Sequence, residues 1–162
     1  MEKALLEEFY QRYYRQLFLY AVSLTGSRED AEDLVANTFV KALTTFRGGN
    51  IVPWLYKVLR NEFFDLYRKG KREVALSEDT LCQTDLSDPV IAHCIENEQT
   101  AWLYQQIWQL PRHEREVLLL TVQTDYSDRQ IAEILALTVT HVRVLRHRAK
   151  KHILEQCKEE IL

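Results

Sequence analysis

A chain of 162 residues has room for one medium domain or two small ones, and 46% apolar with 28% charged residues is ordinary for a soluble globular protein. No window of about 18 uncharged apolar residues occurs, which excludes a transmembrane helix, and the charged, amphipathic start MEKALLEEFYQRYYRQ lacks the apolar core and cleavage site of a signal peptide, so a cytoplasmic protein is expected. The net charge of -3 does not suggest a nucleic-acid partner, but the distribution of charge does.

Basic and acidic blocks alternate. Residues 41–72 carry Lys41, Arg47, Lys57, Arg60, Arg68, Lys69, Lys71 and Arg72 against Glu62 and Asp65; residues 73–100 carry acids and no Arg or Lys. The basic blocks suit phosphate and the acidic stretches suit a protein surface. Cys82, Cys94 and Cys157 are odd in number and widely spaced, which fits neither a disulfide framework nor a zinc pattern. There is no Gly-rich phosphate loop, nucleophile elbow or metal-spaced His/Glu cluster. No enzyme activity, metal, cofactor or small-molecule substrate is expected.

Only four Gly and three Pro, with few β-branched runs, predict a mostly helical chain. Residues 4–25 read as one helix whose stripe (Leu5, Leu6, Phe9, Tyr13, Leu17, Phe18, Ala21, Val22) is expected to be buried. Thr25-Gly26-Ser27 ends it, and Ser27 with Asp30 opens a second helix over 28–46, with Ala31, Leu34, Val35, Thr38, Phe39, Ala42, Leu43 and Phe46 in period. Its outer face begins acidic at Glu29, Glu32 and Asp33. Gly48-Gly49-Asn50 forms a loop, and Pro53 suits the first turn of a third helix. That helix, PWLYKVLRNEFFDLYRKGKR, interleaves Trp54, Tyr56, Phe63, Phe64 and Tyr67 with Lys57, Arg60, Arg68 and Lys69. Rings and cations together are what unstacked bases need. A core role is the better expectation for Trp54, Leu55, Val58 and Leu59. Asn61 reads either as a base contact or as a cap on a buried carbonyl.

Residues 70–88 lack periodicity and read as a linker. Asp88-Pro89 opens a helix that is expected to run to Leu110, Pro111 stops it, and another helix over 112–124 turns Val117, Leu118 and Leu120 inward.

Residues 126–153, YSDRQIAEILALTVTHVRVLRHRAKKHI, carry the densest pattern. Ser127 and Gln130 have capping-box spacing, and Ile131, Ile134 and Leu135 give one apolar face. Ala136-Leu137-Thr138 breaks the pattern, Thr138 caps a second helix, and Val139, Val142, Ala149 and Ile153 form its buried side. Thr140, Val144, His147 and Lys151 then point outward, flanked by His141, Arg143 and Arg148. Residues 139–152 hold Arg143, Arg146, Arg148, Lys150 and Lys151 and no acid. This is the layout of a helix-turn-helix whose second helix enters the major groove, with arginine available to guanine and lysines to phosphate.

Three stretches, DAEDLVANTFVKAL (30–43), PWLYKVLRNEFFDLYRKGKR (53–72) and LPRHEREVLLL…YSDRQIAEILALTVTHVRVLRHRAKK (110–151), in this order resemble the extracytoplasmic-function sigma factors of the bacterial sigma-70 family. The resemblance covers nearly the whole chain except the linker. It implies an all-α chain of two small helical domains joined by a flexible linker: 1–70 for polymerase clamp binding and melting of the −10 element, 71–88 as linker, and 89–162 as the helix-turn-helix domain for the −35 element. The implied partners are core RNA polymerase, promoter DNA (duplex at −35, single-stranded at −10) and an anti-sigma factor, which in this family is often membrane-embedded and released by envelope or other stress.

The same resemblance assigns residues. Asp30, Asp33, Leu34, Asn37 and Phe39 fall on the polymerase side. Asn61 falls where relatives capture a flipped base and the loop 46–52 where they form its pocket, with Phe46, Arg47, Trp54 and Arg60 assisting. Thr140, His141, Arg143, Val144, His147, Arg148 and Lys151 form the −35 surface. The chain departs from the family's habit at Ala36-Asn37 (usually Gln-Glu), at Ala136 (often Gly) and at Leu145-Arg146 (commonly Arg then Leu), a swap at the edge of the core stripe that bears on phosphate contacts. The other readings weighed are a stand-alone helix-turn-helix regulator, which leaves the aromatic-basic helix and the linker without purpose, and a protein-interaction module, which predicts no DNA-dependent phenotype when Arg143 is changed.

Overall fold

Eight α-helices make up all the regular structure among the described residues of the computed structural model, which are 2–69, 87–95 and 97–161. The mostly helical chain expected from composition, and the all-α class that the resemblance implies, are what the described residues adopt. It divides into two units, Met1–Leu76 and Ser77–Leu162. The linker expected over 71–88 lies, as far as residue 86, outside the described residues.

The first unit is built from α1 (Lys3–Thr25), α2 (Arg28–Thr45) and α3 (Ile51–Lys69). Gly26 closes α1 in the left-handed region at φ 69°, and its N–H returns to the Val22 carbonyl. Ser27 then caps α2 by accepting from the Asp30 N–H. This two-residue corner lays α2 back along α1. Leu17, Phe18, Val22, Leu34, Val35, Leu55, Leu59 and Phe63 fill the interior, and Tyr20 meets Tyr56 edge to face at 5.2 Å. An ion pair between Lys41 and Glu62 ties α2 to α3 on the outside.

The stripe of α1 is buried only in its C-terminal half, Leu17–Leu24; Leu5 and Tyr10 are exposed, and Leu6, Phe9 and Tyr13 are half covered. The ring contacts give the reason. The C-terminal half receives α3 through Tyr20–Tyr56, whereas the N-terminal half meets α2 through Tyr10–Phe39. A stripe flanked by one helix is only partly removed from water. Within α3 the expected core is partly corrected. Leu55 and Leu59 are buried, but Trp54 and Val58 are only half-buried, and Tyr56 and Phe63 take the interior places instead.

The second unit comprises α4 (Pro89–His93), α5 (Glu98–Trp108), α6 (Arg112–Gln123), α7 (Asp128–Leu135) and α8 (Val139–Ile161). The single helix expected from Asp88 to Leu110 is two. Asp88 does cap α4, accepting from the N–H groups of Val90 and Ile91. The chain then turns at Cys94-Ile95, and Asn97, in extended conformation, caps α5 by accepting from the Thr100 N–H at 2.9 Å. The side chain of Asn97 competes for backbone N–H groups and starts a helix more readily than it sits inside one.

Helix α6 is the centre of this unit. Residues Glu114–Leu120 are buried without interruption, because α5, α7 and α8 all pack on it. Arg115, almost fully buried, donates to the Leu110 carbonyl, and Glu114 Oε1 meets His152 Nδ1 at 2.6 Å, joining α6 to α8. The caps around the turn are those expected. Ser127 and Gln130 complete a capping box, and Thr138 accepts from the His141 N–H.

Between them Ala136 sits at φ 55°, ψ 44°, the only non-glycine residue at positive φ among the described residues. That geometry lets the Leu137 N–H reach the Ala132 carbonyl and turns the chain into α8. An L-residue with a Cβ pays a steric penalty there that glycine does not. Ala136→Gly should therefore stabilise the protein by about 1 kcal/mol. Thermal unfolding followed by circular dichroism should show a higher melting temperature; a lower one would refute the left-handed turn.

Candidate nucleic-acid interfaces

The register of α8 is set by Val142, Leu145 and Ala149, each 0–1% exposed. Leu145 therefore belongs to the core itself rather than to its edge, and Val139 and Ile153 are half-buried flanks. With that side inward, Thr140, His141, Arg143, Val144, His147, Arg148 and Lys151 are all exposed. The face derived from helical angle alone is thus an accessible face of the folded chain.

Its electrostatics were not legible from α8. Although residues 139–152 contain no acid, two carboxylates reach them from other helices. Glu114 of α6 meets His152, and Asp128 of α7 meets two arginines. Asp128 Oδ1 accepts from Arg146 Nη2 at 2.6 Å, and Oδ2 accepts from Arg143 Nε at 2.9 Å. Arg146 also donates from Nε to the Thr121 hydroxyl on α6 at 3.2 Å. Its side chain is 18% exposed, against 68% for Arg143. Arg146, counted among the cations of α8 in the sequence, is therefore an internal tie between α6, α7 and α8. Arg148, Lys150 and Lys151 are exposed and have no ion pair among the described residues. A pair with one well-exposed partner contributes about 0–1 kcal/mol. A bidentate arginine–guanine contact is worth about 1–3 kcal/mol. Asp128 can thus hold Arg143 in the free protein without withholding it from a base.

In the first unit, α3 turns Trp54, Lys57, Asn61, Phe64 and Arg68 away from its buried side. Asn61 is exposed and two turns from Trp54 on the same stripe, so it is not a cap on an interior carbonyl. Phe46, half-buried, meets Trp54 edge to face at 5.2 Å. The loop between them carries exposed Arg47 and bends at Gly48 (φ 121°) and Gly49 (φ 91°), backbone that L-residues rarely adopt. Asn50 Oδ1 accepts from the Val52 N–H and starts α3. Arg60, half-buried, lies over the Phe64 ring at 4.6 Å. Aromatic surfaces, cations and one amide are therefore gathered on one side of the loop and α3. Lys57 and Phe64 belong to this face while Tyr56 and Phe63 are buried, a division that the alternation of rings and cations alone does not make.

On α2 the polymerase-side residues divide. Asp30, Asp33 and Asn37 are exposed, whereas Leu34 and Phe39 are 2% and 4% exposed and lie in the core. The latter two cannot contact a partner from where they are; they set the rotation of α2. Val40 and Leu43, which are exposed, lie on the outer side with Asn37.

These two surfaces coincide with two family matches. Residues 9–73 match Sigma-70 region 2, and residues 100–153 match Sigma-70, region 4. The chain is 31% identical to the RNA polymerase sigma factor YlaC of Bacillus subtilis, over 96% of this chain and 95% of that protein. It is 29% identical to the ECF RNA polymerase sigma factor SigM of the same organism, over 91% and 92%. Among solved structures it is similar to the sigma factor RpoE of Bartonella quintana, crystallised with the anti-sigma factor NepR, with a TM-score of 0.69, 26% identity and coverage of 94% and 98%. It also shares the fold of CnrH, solved with the cytosolic domain of CnrY (TM-score 0.66, 22% identity). The chain belongs to the extracytoplasmic-function sigma factors of the sigma-70 family. It is a promoter-specificity subunit that joins core RNA polymerase and directs transcription initiation.

The Asp128 cluster has a pH signature. Hydrogen bonds from Arg146 and then Arg143 lower the Asp128 pKa from its ordinary 3.8, and burial opposes them only partly. Stability from this carboxylate is complete above pH 3.8 and is lost as pH falls through the lower folded value. Asp128→Asn should therefore cost about 1 kcal/mol at neutral pH. In chemical denaturation that deficit should vanish in strong acid; a deficit unchanged below pH 3 would show that the charge is not its source.

Proposed function

We propose that the two units divide promoter recognition, with 1–70 engaging polymerase and the melted −10 element, 89–162 reading the −35 element as duplex, and 71–88 linking them. The observation that carries the reading is α8. Its recognition side chains are all exposed on a stretch without acids of its own, in a turn geometry that suits major-groove entry.

In this reading Arg143 and His141 address base edges near the helix N-terminus, Thr140, Val144 and His147 complete that surface, and Arg148 and Lys151 neutralise phosphate. Asn61 takes an extruded base of the non-template strand, against the Phe46–Trp54 pair, while Arg47 and Arg60 steady the backbone. Melting costs a few kcal/mol per unstacked base, roughly, and stacking with charge neutralisation offsets it. Asp30, Asp33 and Asn37 offer an acidic, hydrogen-bonding face to the polymerase, with Leu34 and Phe39 holding that face outward.

An anti-sigma factor is the proposed regulator, since the Bartonella relative was solved bound to one, and the regulon is expected to answer stress or envelope damage. The place of action is the cytoplasm, where polymerase works. Retention at the membrane is proposed to come from an anti-sigma partner; no helix among the described residues is long and apolar enough to cross a membrane.

In vitro transcription with bacterial core polymerase on fragmented genomic DNA tests the reading. Added protein should create new start sites that share a two-part upstream motif. Tight DNA binding without polymerase, and no new starts, would favour a stand-alone regulator. Within the holoenzyme, Arg143→Ala should weaken −35 discrimination by about 1–3 kcal/mol, read from relative output on single-base promoter variants. Asn61→Ala should leave polymerase affinity unchanged and reduce permanganate-reactive open complex; equal loss of both would make Asn61 structural.

A further inference from the structure

Among the described residues, Asp128 is the one acid paired with the N-terminal part of α8, and it stands beside a surface that would meet phosphate. There it opposes binding, because a fixed negative charge cancels one of the nearby cations. Its geometry points to a compensating use. The carboxylate is held at the first residue of α7, and Oδ1 is engaged by Arg146, which is itself fixed to Thr121 of α6. The chain Thr121–Arg146–Asp128–Arg143 joins three helices, and its inner members are mostly covered. Only its last link, Arg143, is well exposed.

Asp128 Oδ2 takes the Nε hydrogen of Arg143 and leaves both terminal amino groups of the guanidinium unused by that bond. Those terminal groups are the pair that can grip guanine O6 and N7. A free arginine samples many rotamers and loses that freedom on binding, whereas one already oriented loses less.

We infer that Asp128 is a positioning residue for base selection, presenting the outer edge of Arg143 to the major groove through a support anchored on α6. The inference rests on the reading of α8 as the duplex-facing helix. Asp128 touches no base; it acts by narrowing the orientations of Arg143. The expected consequence is a trade. Without the carboxylate, Arg143 keeps its charge and gains freedom, so discrimination at its base pair falls while general attraction to DNA holds or rises.

The test uses holoenzyme assembled from core polymerase and the full-length chain on a promoter library randomised across the upstream duplex element, with transcripts sequenced. Wild type, Asp128→Asn, Asp128→Glu, Arg143→Ala and the Asp128→Asn/Arg143→Ala double variant are compared, each with its melting temperature. Asp128→Asn should lose discrimination at the same base pairs as Arg143→Ala, by roughly 5-fold or more. The double variant should lose no more than Arg143→Ala alone, and Asp128→Glu, which keeps the charge, should recover part of the loss. Filter binding to non-promoter duplex should show equal or tighter association for Asp128→Asn. Unchanged discrimination in Asp128→Asn would overturn the inference. So would a uniform loss at every position in step with a lower melting temperature, which would mark a structural role. No upstream motif in wild type, or no effect of Arg143→Ala, would instead overturn the reading of α8 on which the inference stands.

Discussion

Burial of one side of α8 against α6 is the constraint from which the second unit follows. Val142, Leu145 and Ala149 are removed from water, and once they point inward the rotation of the helix is fixed. Every other property of the candidate duplex surface is a consequence of that rotation. Thr140, Arg143, Val144 and His147 are exposed because they are out of phase with those three. The helix α6 that receives them is surrounded on several sides, so even Glu114, Arg115 and Glu116 are buried there. Substitutions in α6 should therefore disturb recognition at a distance, through the seating of α8.

The first unit reaches an accessible polar surface by another route. Its interior is satisfied by alternate rings of α3, Tyr56 and Phe63, which leaves Trp54 and Phe64 half outside. The edge-to-face contact of Phe46 with Trp54 brings the loop after α2 onto the start of α3. Two glycines at positive φ give that loop its bend, with open space where a Cβ would stand. The surface proposed for unpaired bases thus arises from core packing that uses only some of the available aromatics.

Leu145 and Arg146 are neighbours in α8 and take opposite parts. Leu145 is a buried apolar side chain, whereas Arg146 turns toward Asp128 and Thr121, which gives a cation an internal partner. Ala136 holds the left-handed turn between α7 and α8 at a steric cost.

Most of the fold was legible in the chain by itself, because caps and apolar periods are local. Ser27, Ser127, Gln130 and Thr138 mark helix starts from their own side chains, and the period of α8 names its outward face. The order of three motif blocks carried the resemblance to the family, which the matches to Sigma-70 regions 2 and 4 bear out. What lay beyond the sequence was every choice between residues of one type. Period alone does not say that Trp54 is half outside while Tyr56 is inside, or that α1 is covered over half its length. It did not show that one carboxylate, Asp128, holds both Arg143 and Arg146. Asp128 and Arg143 are 15 residues apart and Thr121 and Arg146 are 25 apart, on different helices. Helical period fixes an angle about one axis; which groups meet depends on how the axes pack, and only the tertiary structure sets that.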